Sequence, residues 1–478
     1  MTPRTDTPPI LFLPIINWEF RTQRPQQLAR CFARAGSRVY YPLLHLSPDP
    51  PPPRLVESGI WQISLRGDPG RDPYCDRLSA AAVEQALGSL RRIAAEHSLE
   101  GCWIVTQLPF WYPLAEAARA AFGGALLFDC MDDFSCFGDH ADPEEDEAAL
   151  AAAADLVTVT SQRLFDKLSP LNPHTRIVRN GCDPAHFGPA AARTLPREPV
   201  VVGFFGGIHD WFDTDLVADL ARLRPLWEIR LIGDTYRSDV EALRSLPNVT
   251  LLGEVSYSEL PRLVSGFHAG IIPFKISPLT EAADPVKAYE MLAAGLPVVA
   301  VDLPELRRLE PLIAVARGAA EFAARIEECL GEPPEARSRR LDLARRESWT
   351  DRFLSLRRAM DETPGEARRR PALRVEGLSR PERFLSLDDL KRESAEIREA
   401  LDAERLSRIE DRCRAETERL SLIEQRDRVE AEAVRLRYEL ERVEAERCML
   451  ETELVRARVT FLQRLAGRGR ALLGRLGL

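Results

Sequence analysis

Short, almost wholly apolar runs alternate with helical patterns through the first 360 residues of this chain, and that alternation leaves few folds open. The runs Ile10–Pro14, Arg38–Tyr41, Ile60–Ser64, Cys102–Thr106, Ala125–Asp129, Asp155–Thr160 and Arg176–Arg179 read as strands. Strands that are apolar on both faces, with helices between them, predict a parallel sheet covered on both sides. Pro184 to Pro199 reads as a loop-like linker, after which the alternation restarts. Val200–Phe205, Glu228–Ile232, Val249–Leu252, Ala269–Phe274, Pro297–Val301 and Leu312–Ala316 are the strands of a second unit. The helix holding Ser348-Trp349-Thr350-Asp351-Arg352-Phe353 is expected to close that unit. Two doubly wound units in succession would collect a ligand between the carboxyl ends of their strands.

The fold class is therefore read as α/β: two Rossmann-like domains over residues 1–183 and 200–360, followed by a long α-helical coiled coil. Residues 361–384 are rich in Pro, Arg and Gly and read as a linker. From 385 to 466 the chain is charged and almost free of Gly and Pro, with Leu436, Leu440, Val443, Leu450, Leu454, Ala457 and Phe461 in a 4-3 spacing broken only at Arg447. An earlier register through Leu406, Ile409, Cys413, Leu420 and Ile423 joins it at a stutter near Asp427. Such heptads predict self-association, most simply a homodimer. Residues 467–478 form a basic amphipathic tail, for which membrane-surface contact and a frayed coiled-coil end are both open readings.

A chain of 478 residues is too long for one core, in keeping with several domains. Its net charge of -9 argues against nucleic acid as a partner of the whole chain. The 9 cysteines are scattered with no CxxC pair, which suggests free thiols in a reducing compartment. Met1 to Pro9 lacks the pattern of a secretory leader, and no apolar run is long enough to span a bilayer. The expected location is cytoplasmic, with any membrane contact peripheral to its inner face. The 7 histidines show no ligand spacing, so no metal is expected.

The most telling segment for chemistry runs from Asp284 to Gly295, into the strand Pro297–Val301. Asp284 suits a helix N-cap and Pro285 the first helical position, with Val286 following. Lys287 and Glu290, three apart, share a helix face. A cation and a carboxylate there can hold a phosphate and a sugar diol together, although a surface ion pair would leave the same pattern. Gly206 and Gly207 follow the strand Val200–Phe205, ahead of a helix that Asp213 or Thr214 could cap. Glycines in such a turn let backbone amides approach a pyrophosphate, and the helix dipole favours the negative charge. A plain turn between strand and helix is the simpler alternative.

These segments, together with Trp18-Glu19-Phe20-Arg21-Thr22-Gln23-Arg24-Pro25-Gln26-Gln27-Leu28, Phe128-Asp129-Cys130-Met131-Asp132-Asp133-Phe134, Arg179-Asn180-Gly181-Cys182-Asp183 and Asp210-Trp211-Phe212-Asp213, resemble the retaining glycosyltransferases of the GT-B fold over residues 10 to 360. That resemblance implies a nucleotide-sugar donor, a glycan or lipid-linked acceptor, no cofactor or metal, and a role in bacterial surface polysaccharide. By the same resemblance Gly206, Gly207, Asp284, Pro285, Val286, Lys287 and Glu290 bind the donor. Asp129 and Asp132 orient the acceptor hydroxyl, Lys287 neutralises the departing diphosphate, and Arg21 and Arg24 dock an anionic acceptor. For Asp129, Asp132 and Asp133 helix capping is the alternative, and for the two arginines a surface salt bridge, the simpler of their two readings. Where the family carries a glutamate eight positions before Glu290, this chain has Ala282, with Glu281 one residue off. The family's second-domain basic pair is also missing, with His209 and Lys275 as weak substitutes. A catalytically degenerate scaffold acting through its coiled coil is the alternative function.

Overall fold

The computed structural model describes residues 7–136, 143–191, 198–235 and 238–363. The coiled coil, the basic tail and the linker from residue 364 onward lie outside the described residues. The first sheet is built from β1 (Ile10–Leu13), β2 (Val39–Pro42), β3 (Arg54–Glu57), β4 (Ile60–Ile63), β5 (Trp103–Thr106), β6 (Ala125–Cys130), β7 (Leu156–Val159) and β8 (Thr175–Ile177). Their order across the sheet is β3-β4-β2-β1-β5-β6-β7-β8. The second is built from β9 (Val201–Phe205), β10 (Glu228–Ile232), β11 (Val249–Leu251), β12 (Ala269–Ile272), β13 (Val298–Ala300) and β14 (Ile313–Val315). It runs β11-β10-β9-β12-β13-β14.

Every pairing between these strands is parallel except β3 with β4. The parallel strands β1, β2, β5, β6 and β7 are buried along their whole length, because helices lie on both faces. β3 offered only the two apolar residues Leu55 and Val56: Arg54 and Leu55 are exposed on an edge strand, as a short edge permits.

Two expectations change. Pro184 to Pro199 is not all loop, since Pro184–Ala191 is helical and Phe187 is buried in the second domain's core. The helix Trp349–Glu362 does not close the second unit. Its Trp349, Phe353, Leu356 and Met360 enter the core beneath β1, β2 and β5, with Phe353 edge-on to Phe32 at 5.1 Å. The chain thus returns to its first half, pinned where Trp349 donates its amide to the Cys182 carbonyl.

Side chains of the two halves also bond directly. Arg179 and the Gln162 amide both donate to Glu305, at 2.7 and 2.8 Å. The Asn180 amide donates to Asp284 at 2.6 Å, and Arg163 to Glu281 at 2.6 Å. Among the described residues, no helix is long and apolar enough to cross a membrane, every cysteine is free, and no group of three or more His, Cys, Asp or Glu is placed to hold a metal ion.

Candidate active site

The turn after β9 is fixed by backbone. Gly206 sits at φ +137°, which L side chains rarely adopt, and donates its amide to the Ile232 carbonyl at 2.9 Å. Gly233, at the end of neighbouring β10, has φ +151°, and a Cβ there would stand 1.8 Å from the Gly206 carbonyl oxygen. The two strand ends therefore meet glycine to glycine. Asp213 caps the helix Thr214–Leu223 that follows, accepting from the Leu216 amide at 2.9 Å.

Lys287 closes this turn from the side. Its Cε lies 2.7 Å from the place a Cβ would occupy on Gly206. The lysine and the glycine turn thus share one locale, as the donor reading requires. Glu290, on the same helix (Val286–Ala293), is buried. Burial pushes its carboxyl up to about 7, against the opposing pull of Lys287 and the nearby Tyr257 hydroxyl. This is no surface ion pair: a buried carboxylate beside a half-buried lysine calls for a polar partner.

Asp284 departs from its expected part. The helix begins after Pro285, which has no capping side chain, and the buried Asp284 turns the other way. One carboxylate oxygen accepts from the Asn180 amide across the seam between the halves, and the other, at 2.9 Å, from the Tyr289 hydroxyl on the helix that follows. Pro285 is buried, and the partly buried Val286 packs against the first domain's core.

Asp129 and Arg24 are corrected more sharply. Neither reaches solvent. Arg24 forks onto Asp129, Nη2 to Oδ1 at 2.7 Å and Nε to Oδ2 at 2.9 Å, while Gln107 Nε2 and Thr158 Oγ1 donate to the same carboxylate. Arg24 Nη1 goes on to the Arg179 carbonyl and Asn180 Oδ1. Burial would raise the Asp129 pKa, but the guanidinium and these donors outweigh it and hold it below the usual carboxylate range. A carboxylate sealed in this way cannot touch an acceptor, and an arginine spent on it cannot dock one.

Asp132, two residues beyond β6, is only partly covered, and burial together with neighbouring Asp133 pushes its carboxyl up to about 6. Asp133 instead takes a bond from Lys167 at 2.5 Å, and Lys167 also meets the buried Glu147. Arg21 does lie at the cleft, yet against the second domain: its Nη1 is 3.2 Å from the Cβ position of Gly207. Ala282 is fully buried in the first domain's core, and Glu281 is occupied by Arg163. Neither supplies a glutamate to stand eight positions before Glu290. The sequence reading missed Gly233, whose only signal was a glycine directly after a strand, and Tyr257, which carries no local signal at all.

Residues 199–332 match the family model described as "Glycosyl transferases group 1". A Bacillus subtilis (strain 168) protein, TuaH, whose name assigns it to teichuronic acid biosynthesis as a glycosyltransferase, is 30% identical over 225 residues. That match takes in 43% of this chain and 57% of TuaH, so the chain spans little more than half of that relative. Sucrose-phosphate synthase from Thermosynechococcus elongatus superposes with a TM-score of 0.58 at 18% identity, covering 74% of this chain and 98% of its own. HepE of Anabaena in complex with UDP-glucose gives 0.56 at 16%, covering 74% and 99%. The fold is of the GT-B type.

Proposed function

We propose that this chain is a nucleotide-sugar glycosyltransferase that transfers a sugar with retention to a glycan or lipid-linked acceptor in surface polysaccharide synthesis. The observation that carries the reading is the packing of Lys287 onto the Gly206 turn, with Glu290 buried one helical turn along. The turn amides and the lysine charge would hold the donor diphosphate, and ionised Glu290 would accept both hydrogens of a diol. Retention follows the resemblance to the family: the bond from the anomeric carbon to the diphosphate breaks, and the acceptor oxygen bonds on the same face. The acceptor proton leaves to a departing phosphate oxygen. No strong protein base is needed, and the protein's share is neutralising charge at the diphosphate, without metal or cofactor. Asp132 is the group left to orient the acceptor hydroxyl. The name of TuaH and the UDP-glucose carried by HepE support this substrate class by likeness.

Calorimetry of wild type, Lys287→Ala and Glu290→Ala against a panel of UDP-, GDP- and ADP-sugars tests the reading. Binding by wild type that falls at least tenfold in both variants is expected; no binding by wild type to any donor would favour the scaffold alternative instead. The homodimer and the tail's membrane contact belong to the same proposal. Sedimentation at micromolar concentration checks the first, and liposome flotation against a chain ending at Glu453 the second.

A further inference from the structure

The donor wall has one obvious cation of its own, Lys287, for a group that carries at least two negative charges. A second cation reaches it from the other half of the molecule. Arg21 stands in the loop between β1 and the helix Arg24–Arg34, and its guanidinium lies against Gly207 just as Lys287 lies against Gly206. Two adjacent glycines of the second domain are thus flanked by one cation from each half. Arg21 is meanwhile paired with two carboxylates that also follow strand ends of the second domain: Nε to Glu254 Oε1 at 2.5 Å, and Nη2 to Asp234 Oδ2 at 3.4 Å. His209 Nε2 meets the same Asp234 oxygen at 3.3 Å.

We infer that Arg21 is a donor-binding residue supplied by the first domain, which exchanges Glu254 and Asp234 for the donor diphosphate. The inference rests on the proposed donor site and adds to it a second cation, from the other half. Exposure decides the direction of exchange. The Glu254 and Asp234 side chains are 47% and 38% exposed, so their pairs with Arg21 are solvent-screened and cheap to break. A diphosphate in a partly enclosed turn offers a guanidinium short, bidentate, charge-assisted bonds instead. Arg21 also stacks on Phe20, with its Cζ 4.7 Å from the ring centre, which holds the guanidinium plane in place while its partners change.

The rival role is a plain clamp between the halves, and the two differ in sign. If Arg21 takes the diphosphate, Arg21→Ala weakens binding of a nucleoside diphosphate, while Glu254→Gln strengthens it by removing a competitor. The probes are UDP, GDP and ADP, and for whichever binds wild type most tightly, the matching monophosphate. For Arg21→Ala we expect a loss of roughly tenfold or more for the diphosphate and a markedly smaller loss for the monophosphate. For Glu254→Gln we expect a gain of about two- to fivefold for the diphosphate. Equal losses for both nucleotides in Arg21→Ala, or a loss in Glu254→Gln, would make Arg21 a clamp and overturn the inference. Wild type that binds none of the three diphosphates would overturn the donor-site reading itself, a different failure visible before any variant is made.

Discussion

Replacing Arg24 by methionine removes the guanidinium but keeps much of the volume, and it should be among the most damaging substitutions in the first domain. At pH 7 it leaves Asp129 ionised in the core with two neutral donors, Gln107 and Thr158, and strips a donor from the Arg179 carbonyl and Asn180 Oδ1. Breaking a buried pair from one side costs about 3–5 kcal/mol, because the stranded charge is uncompensated. The pH dependence should change sign as well. In wild type the Asp129 pKa is lowered by folding, so its stabilisation is present above the unfolded value and fades as pH falls through the folded one. Without Arg24, burial raises that pKa above the unfolded value, so the variant gains stability as pH falls and its deficit shrinks between pH 7 and 5. Adding Asp129→Asn removes the stranded charge, and the double variant should recover about 2 kcal/mol or more relative to Arg24→Met alone. Two sheets in one chain can unfold in separate steps. The measurement is therefore hydrogen exchange by mass spectrometry, in peptides covering β1 and β6. A loss below about 1 kcal/mol, a deficit indifferent to pH, or a double variant no better than the single one would refute the argument.

Four further outcomes follow from the structure. Because folding raises the Glu290 carboxyl to about 7, its contribution to stability is full below the unfolded value and is lost as pH rises through about 7. Glu290→Gln should therefore be more stable than wild type at pH 8 and no better at pH 4.5 by urea unfolding; in wild type, donor affinity should rise from pH 6 to 8, and in the variant it should stay low and flat. Gly233→Ala drives a Cβ into the Gly206 carbonyl oxygen, a backbone atom that cannot swing aside, so calorimetry should record a roughly tenfold or larger loss of donor affinity. Gly101→Ala also sits at positive φ but meets nothing within 4 Å, so it should cost about 1 kcal/mol of stability and leave donor binding unchanged. Phe353→Ala should cost about 3 kcal/mol, read as faster exchange in the helix Trp349–Glu362 and in the helix Arg24–Arg34 that it packs on.

The strands were legible because a parallel sheet buried on both faces writes itself as apolar runs; Glu228–Ile232 is found in full, and the others of the predicted set shift at an end by a residue or two. β3 was not legible, since Leu55 and Val56 between two charged residues are too short an apolar run to mark a strand. The helix Trp349–Glu362 was legible as a helix but not in its destination. Its apolar face would suit either core, and nothing local in the sequence announces that it packs on Phe32 and its neighbours in the first domain. The meeting of Lys287 and Gly206 was legible for a general reason: in open α/β sheets the carboxyl strand ends face the crevice, so motifs at such ends converge.

That same rule could not sort the arginines. Arg21 and Arg24 stand three positions apart, and one is buried in a core while the other lies against the glycine turn after β9. Their carboxylate partners are 105 and 233 positions away in sequence, and nothing local to either arginine announces them. What separates structural from exchangeable is the burial of the partner. Asp129 has no contact with solvent, so exchanging it for a ligand would strand a charge in the core, at several kcal/mol. Glu254 and Asp234 are wetted, so losing Arg21 returns them to water at a cost of about 1 kcal/mol or less. An arginine at the carboxyl end of a sheet is thus a candidate for binding substrate when its carboxylate can be rehydrated, and a structural strut when it cannot.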